Sequence, residues 1–545
     1  MKKLIFTLAF ALGAITSYAC TNFIVTKGAS TDGSVMVTYA ADSHQLYGAL
    51  YYTPKGKFKP GSMLRVEEWD TGKYLGEIAQ IPQTYTTVGN MNEHSLIITE
   101  TTYGGLSQLE DPNGKIDYGS LIYITLQRAK TAREAIKTIV ELANTYGYAS
   151  SGESFSIADA DEAWIMELIG KGNSTNDPSR KGIVWVAYRI PDGYVSAHAN
   201  QARITKIVKN DPENCLYSED VISFARKEGL YEGTDEDFSF CDTYAPLDFG
   251  GMRGCEARVW SFFRSISEGM DKYIDFAMGL NPNNKMPLWV KPTEKIAPKR
   301  LFDAMRDHYE GTPMDMTADI GAGGEGCPYR WRPMYFEVDG VEYCNERAIA
   351  TQQTGFWLVG QARPGKVGIL WFGTDDAATS PLTPIYVNSL EVPECLRTGN
   401  GTMLKYSDTS MFWITNRVAQ FAYLRYNTVG KTVREYVDMW ENQMLELVPA
   451  MDAQIGGAKN AKKAQQVATE LTVNNAQALF NIWVDLDKYL MVKYIDGNVK
   501  GEENGQFVDN GNGKDIPGII EQPGYSERWK RAVAKDNGEL LKVVK

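Results

Sequence analysis

Histidine is scarce in this chain: four in 545 residues, His44, His94, His198 and His308. None falls in an H-E-x-x-H or similar spacing, so the usual zinc-peptidase helix with its glutamate base is absent. No two cysteines have the C-x-x-C spacing of a zinc site. Beyond the N-terminal stretch no run is long, apolar and uncharged enough to span a bilayer. There is no internal repeat. Positive charge is also short, with 56 Lys and Arg against 68 Asp and Glu, a formal net charge of -12. A nonspecific nucleic-acid binder needs a basic surface to neutralise phosphates, so that class is excluded. What remains is an ordinary globular balance, 43% hydrophobic and 23% charged, on a chain long enough for a large core and several domains.

Residues 1–19 carry the three parts of a secretory signal. Lys2 and Lys3 give the positive start, "LIFTLAFALGAI" the apolar middle, and Ser17 and Ala19 the small residues before a cut. The expectation is an exported protein, periplasmic or extracellular, cleaved before Cys20. Seven cysteines, an odd number, leave one thiol over in an exported chain. If Cys20 is that thiol, Cys215, Cys241, Cys255, Cys327, Cys344 and Cys395 remain, either for disulfides or as small buried apolar residues.

Cys20 at the cut has three readings: a nucleophile, a lipid anchor and an inert thiol. As a new N-terminus it would carry thiol and α-amine on one residue. The amine, with a reference pKa of about 7.7–8.0, can take the thiol proton near neutral pH, so no histidine is required. A lipoprotein signal usually has a Leu-like residue three positions earlier, where this chain has Ser17.

Along the chain, "TNFIVTK" and "SVMVTYAA" read as strands joined by the turn "GASTDG", and "HSLIITETTYGG" as another. "YGSLIYITLQRAKTAREAIKTIVELANTYG" has helical spacing. The Thr131–Glu134 capping box divides it near Lys130, with Ile136, Ile139, Val140 and Ala143 on one face. "ESFSIADADEAWIMELIG" reads as a hairpin turning at Asp159–Glu162. "GIVWVAYRIPDGYVSAHANQARI" reads as a second, turning at Pro191-Asp192-Gly193. Residues 205–330 mix helices and loops. "GFWLVGQARPGKVGILWFG" gives another strand pair, and "TVREYVDMWENQMLELV" and "NNAQALFNIWVDLDKYLMVKYI" give amphipathic helices. The segment 500–520 reads as a polar, glycine-rich loop. Grouped rather than alternating elements favour layered antiparallel sheets over a doubly wound parallel one. "GAGGEG" at 321–326 fits G-x-G-x-x-G, but Cys327 and Pro328 follow it instead of a helix, so it reads as a loop.

The stretch "CTNFIVTKGASTDGSVMVTYAADS" closely resembles the opening of the C69 family of dipeptidases, N-terminal nucleophile hydrolases, and meets every fixed position of C-T-x-x-x-V-x-K-x-A-S-x-D-G-S. "MNEHSLIITETTYGG", "TAREAIKTIVELANTYGY", "GESFSIADADEAWIMELIG", "AHANQARI" and "GTDDAATSPLTPIY" extend the resemblance over most of residues 20–390. It implies an α+β fold, a four-layer αββα sandwich with antiparallel sheets between helices. The catalytic domain would span 20–400, with a helical extension packed on it over 401–545. It implies cysteine-dependent hydrolysis of small peptides without cofactor or metal, with no nucleic acid and no integral membrane span; a homo-oligomer is left open. Cys20 would be the nucleophile and Asn200 an oxyanion donor. Asp42 matches an active-site acid, and Arg258 a downstream arginine with Arg253 and Arg203 as rivals. The arginine that related enzymes place on the second strand falls on Tyr39. Glu100 would either bind a substrate ammonium or sit in solvent. An N-acyl amide hydrolase acting on bile-salt- or penicillin-like amides is the same-class alternative, and a lipidated surface binding protein the other.

Overall fold

A computed structural model describes residues 19–544. Apart from Ala19, the signal read on residues 1–19 lies outside the described residues. The fold is α+β, built on two antiparallel sheets.

The first sheet holds seven strands. β1 (Ala19–Val25) and β2 (Val35–Asp42) are joined by the Ser-, Asp- and Gly-rich turn expected from sequence. The second sheet holds eight, with β3 (Ile97–Gly104), β4 (Gly152–Ala158), β5 (Ala163–Gly170) and β6 (Ile183–Arg189) side by side. β7 (Val195–His198) returns to the first sheet beside β1, and β8 (Thr354–Ala362), β9 (Ile369–Thr374) and β10 (Thr383–Tyr386) follow beyond β2. The first sheet therefore runs Trp289–Val290, β7, β1, β2, β8, β9, β10.

β2 is buried at all eight positions, so its run "VMVTYAAD" need not alternate with solvent. The sheets meet across a polar seam. Asn22 Nδ2 on β1 donates to Thr99 Oγ1 (2.8 Å) and Ser156 Oγ (3.2 Å) on the facing sheet. His198 lies between Thr101 Oγ1 and Ser156 Oγ, both at 2.7 Å. Burial lowers His198 to about 3, so it stays neutral and serves as a core hydrogen-bonding group. At Gly360 a Cβ would come to 3.0 Å from the Ile97 side chain on the opposite sheet, so any larger residue here would force Ile97 to shift.

Helices cover the outer faces. α1 (Tyr118–Leu126) and α2 (Ala132–Tyr146) pack on β3–β6 through Leu121, Ile136, Ile139 and Ala143 against Phe155, Trp164 and Leu168. Thr131 caps α2 by accepting from Glu134 N at 3.2 Å, a contact worth about 1 kcal/mol in typical helices. On the first sheet, Phe262 of α3 (Ala257–Ile266) stacks on Phe23 of β1 at 3.7 Å. α4 (Met411–Leu424), α5 (Lys431–Gly456) and α6 (Ala461–Tyr494) cover β9 and β10. Thr472 of α6 accepts from Tyr386 N, and Trp440 of α5 donates to Leu382 O.

Two sequence expectations change. The segment around Pro191-Asp192-Gly193 is a corner, not a hairpin: β6 and β7 belong to different sheets. Gly193, at φ +84°, makes the sharp turn, and Asp192 is drawn to the β1 end by accepting from Gly28 N at 2.7 Å. The polar, glycine-rich stretch 500–520 carries short strand pieces, with Val499–Lys500 pairing Ile520–Glu521 and Glu502–Glu503 pairing Gln506–Phe507. All seven cysteines are free thiols, and Cys215, Cys241 and Cys395 are buried as small apolar residues. Among the described residues no helix is long and apolar enough to cross a membrane.

Candidate active site

The site forms where β1 begins. Cys20 pairs with Ala41 of β2, which fixes its backbone in the sheet and turns its side chain toward Tyr39 and β3. Its Sγ lies 3.3 Å from Glu100 Oε1 and 3.7 Å from Tyr39 Oη. Tyr39 in turn donates to the same Glu100 oxygen at 2.5 Å. None of the four histidines hydrogen-bonds Cys20. The backbone nitrogen of Cys20 donates to Asn200 Oδ1 at 2.9 Å.

Arg258 is fully buried and links these parts. A wide π-type turn, Gly251–Glu256, leads into α3 and aims the guanidinium at the start of β1. Its Nη1 donates to Cys20 O (2.6 Å) and Thr21 Oγ1 (2.8 Å). Its Nη2 donates to Ala199 O and Asn200 Oδ1, both at 3.0 Å, and Nε to Gly254 O at 2.8 Å. A surface ion-pair role for this residue is thereby excluded. The rivals serve elsewhere: Arg253 pairs with Glu346 at 2.7 Å and Arg203 with Glu256 at 2.9 Å.

Asn200 sits just past β7 in the left-handed region, φ +61°, which asparagine tolerates better than most residues. Two donors on its Oδ1 fix the amide orientation. Nδ2 donates to Thr102 O at 2.7 Å, and one N–H is left for a further acceptor. Asp42 ends β2. It accepts from Thr354 Oγ1 at 2.7 Å and pairs with Arg347 Nη2 at 3.3 Å. It is not a turn cap.

Electrostatics hold the thiol as a thiol. Burial pushes Cys20 well above the ordinary cysteine range, and the Glu100 and Asp42 carboxylates push it further; the Asp42 N–H and the Tyr39 hydroxyl oppose them. Burial raises Asp42 to about 7 against the pull of Arg347 and Thr354. Burial, then the neighbouring Arg258, lowers Arg347 to about 9.

A family model described as Peptidase family C69 matches residues 51–439. The chain belongs to peptidase family C69. It is 26% identical to a probable dipeptidase of Salmonella dublin, over 58% of this chain and 72% of that protein. It is 24% identical to probable dipeptidase A of Streptococcus pyogenes serotype M3 (strain SSI-1), over 85% of this chain and 96% of that protein. A probable dipeptidase of Latilactobacillus sakei is 25% identical over 70% of this chain.

In this C69 chain the four residues picked from sequence converge. Cys20, Asn200 and Arg258 are joined by direct hydrogen bonds, and Asp42 sits one register step away, opposite Ala19. Sequence reasoning missed Arg347 and Glu153 and left Glu100 open. Glu100 is 1% exposed, so the solvent reading is corrected. Glu153 lies in a strand buried at every position, where period-two alternation does not mark a solvent face. Arg347 stands in a segment with no motif. The acids Asp303, Asp438 and Glu441 lie close enough together to ligate a metal. Lys299 pairs with Asp303 and Asp438, Arg434 with Asp303, and Arg306 with Glu441, so the group is already neutralised. A cavity of about 490 Å³ between Gln201, Arg203, Cys241, Glu256 and Lys285 includes none of Cys20, Asp42, Asn200 and Arg258.

Proposed function

We propose that the protein is an exported dipeptidase whose mature chain begins at Cys20, and that its sheets and helices form the four-layer sandwich of N-terminal nucleophile hydrolases. The observation that carries this reading is the placement of Cys20. Its thiol, its nitrogen and its carbonyl each have a separate partner set, Glu100 with Tyr39, Asn200, and Arg258. Support also comes from the dipeptidase names of the relatives.

In the uncut chain the Cys20 nitrogen is an amide and cannot take a proton. Cleavage after Ala19 turns it into an amine beside the thiol. The neutral amine removes the thiol proton, and the thiolate attacks the substrate carbonyl carbon. Negative charge moves to the carbonyl oxygen, where the remaining Asn200 N–H can donate. The ammonium returns its proton to the leaving amine as the C–N bond breaks, leaving a thioester. Water, losing a proton to the amine, attacks the thioester; Cys20 leaves as the thiol and the acid is released. Arg258 holds Cys20 O and Asn200 Oδ1, so nucleophile and oxyanion donor keep one geometry. Tyr39 supplies a hydrogen bond where related enzymes have a charge, and Arg258 and Arg347 provide the buried positive charge.

Two measurements test the proposal. Intact mass and N-terminal sequencing of the secreted protein should show a free Cys20. A diacylglyceryl-modified cysteine, or another first residue, overturns the mechanism and favours the lipidated binding protein. On a panel of free dipeptides, N-acetylated dipeptides and conjugated bile salts, assayed with chelator present, the matured protein should turn over free dipeptides best. A preference for the acylated compounds transfers the assignment to an N-acyl amide hydrolase that keeps Cys20.

A further inference from the structure

Three carboxyl groups, Asp70, Glu100 and Glu153, gather on the β3 side of Cys20, and among the described residues none of them pairs with a lysine, arginine or histidine. Three other buried acids have cations, Asp42 with Arg347, Glu256 with Arg203 and Glu441 with Arg306. Buried acids without one, such as Asp111, Asp117 and Glu167, accept from two backbone N–H groups each. Glu100 and Glu153 are at most 1% exposed, and Glu100 Oε2 and Glu153 Oε2 have no hydrogen-bond partner. Their other oxygens are taken, Glu100 Oε1 by Tyr39 and Cys20, Glu153 Oε1 by Thr102 Oγ1. The two carboxyl groups lie against each other. Two ionised carboxylates have no donor between them, so a shared proton, a water or a cation has to supply one. Asp70, which accepts from Tyr118 Oη at 2.9 Å, is only half-buried, as are its neighbours Trp69 and Tyr51. The acidic group thus grades from a partly open end to the nucleophile.

Resting on the dipeptidase reading above, we propose that Glu100, backed by Glu153, is the residue that recognises the free α-ammonium of the substrate. The ammonium would replace the shared proton or water and satisfy the orphaned oxygens. Glu100 Oε1 is 3.3 Å from the attacking sulfur, so a cation held by Glu100 lies beside the nucleophile, where the amino end of a peptide sits when its first carbonyl is attacked. The same contact couples recognition to reactivity. The empty carboxylate opposes thiolate formation, and a bound ammonium cancels that opposition. The Cys20 nitrogen is directed to Asn200 Oδ1 and is the other cation to be weighed.

The test compares matured wild type with Glu100→Gln and Glu153→Gln, both close in shape to the parent, with thermal melts to show folding. Wild type should prefer a free dipeptide over its N-acetylated form. In E100Q the KM for the free dipeptide should rise about tenfold to a hundredfold, the loss typical of a charged hydrogen bond. The acetylated form, which has no ammonium to lose, should be affected far less than the free dipeptide, and the preference should collapse. E153Q keeps the carboxylate that faces Cys20 but loses the second acceptor, so the preference should weaken in the same direction and by less than in E100Q. Peptide-resolved alkylation of Cys20 by iodoacetamide, followed against pH, should shift to lower pH in E100Q, a change that a purely structural role would not give. An unchanged preference in folded E100Q overturns the proposal. Equal loss on both substrates overturns it too, and makes Glu100 the counter-ion of the Cys20 amine. If wild type cleaves no free dipeptide, the functional reading itself fails and this inference falls with it, a result visible before any variant is compared.

Discussion

Cys20→Ala protein, correctly cut and folded, is expected to have no measurable dipeptide hydrolysis. Removing the nucleophile of a hydrolase that works through a covalent intermediate costs on the order of a millionfold in kcat. Alanine is smaller than cysteine by one sulfur. The packing loss at this buried position is therefore modest and should not unfold the chain. Cys20→Ser is the informative companion. It keeps an oxygen nucleophile beside the amine, but a hydroxyl is far less acidic than a thiol, so most activity should still go. The measurement is kcat/KM on protein whose first residue has been confirmed by mass. Thiol labelling must be read peptide by peptide, because the other six cysteines are also free. A Cys20→Ala enzyme that cleaves at the parental rate removes Cys20 from the chemistry.

The parts of this fold that are legible in the sequence are those set by neighbours in the chain. Thr131 and Glu134 mark the start of α2 because capping is complete within four residues, and Ile136, Ile139 and Ala143 share a face by helical period alone. The hairpins of β4 with β5 and of β8 with β9 follow the same logic. The Pro191-Asp192-Gly193 turn does not, since a tight turn is compatible with pairing or with a corner. The choice is made by Asp192 and Gly193 bonding to the end of β1, some 165 residues away in sequence. The active site divides in the same way. Cys20 is marked by the signal-like run of residues read before it. Asp42, Asn200 and Arg258 come from a resemblance over long stretches. Glu153 and Arg347 carry no local mark, because what sets them apart is burial beside Glu100 and Asp42, a property of the packed sheets.

Replacing Asn200 is expected to lower kcat by about 100- to 1000-fold while KM changes little, since an oxyanion donor acts chiefly in the transition state. Alanine alone is an ambiguous probe here. Asn200→Ala removes the acceptor for Cys20 N and Arg258 as well as the donor to Thr102 O. It also places a β-carbon residue other than Asn at φ +61°, which costs roughly 1–2 kcal/mol. Asn200→Asp separates the roles. The carboxylate has nearly the same shape and still accepts from Cys20 N and from Arg258, so the start of β1 should stay in place. It has no N–H, so the developing oxyanion loses its donor and gains a repulsive neighbour. Under this assignment N200D should fall in kcat at least as far as N200A. It keeps the Cys20 N and Arg258 contacts, but its second carboxylate oxygen faces Thr102 O with no donor between them, so some loss of melting temperature is expected in both variants. Steady-state kinetics on free dipeptides with parallel thermal melts decide the matter. A rise in KM at unchanged kcat in N200D would make Asn200 a substrate-binding residue, and the oxyanion would then have to be held by backbone N–H groups alone.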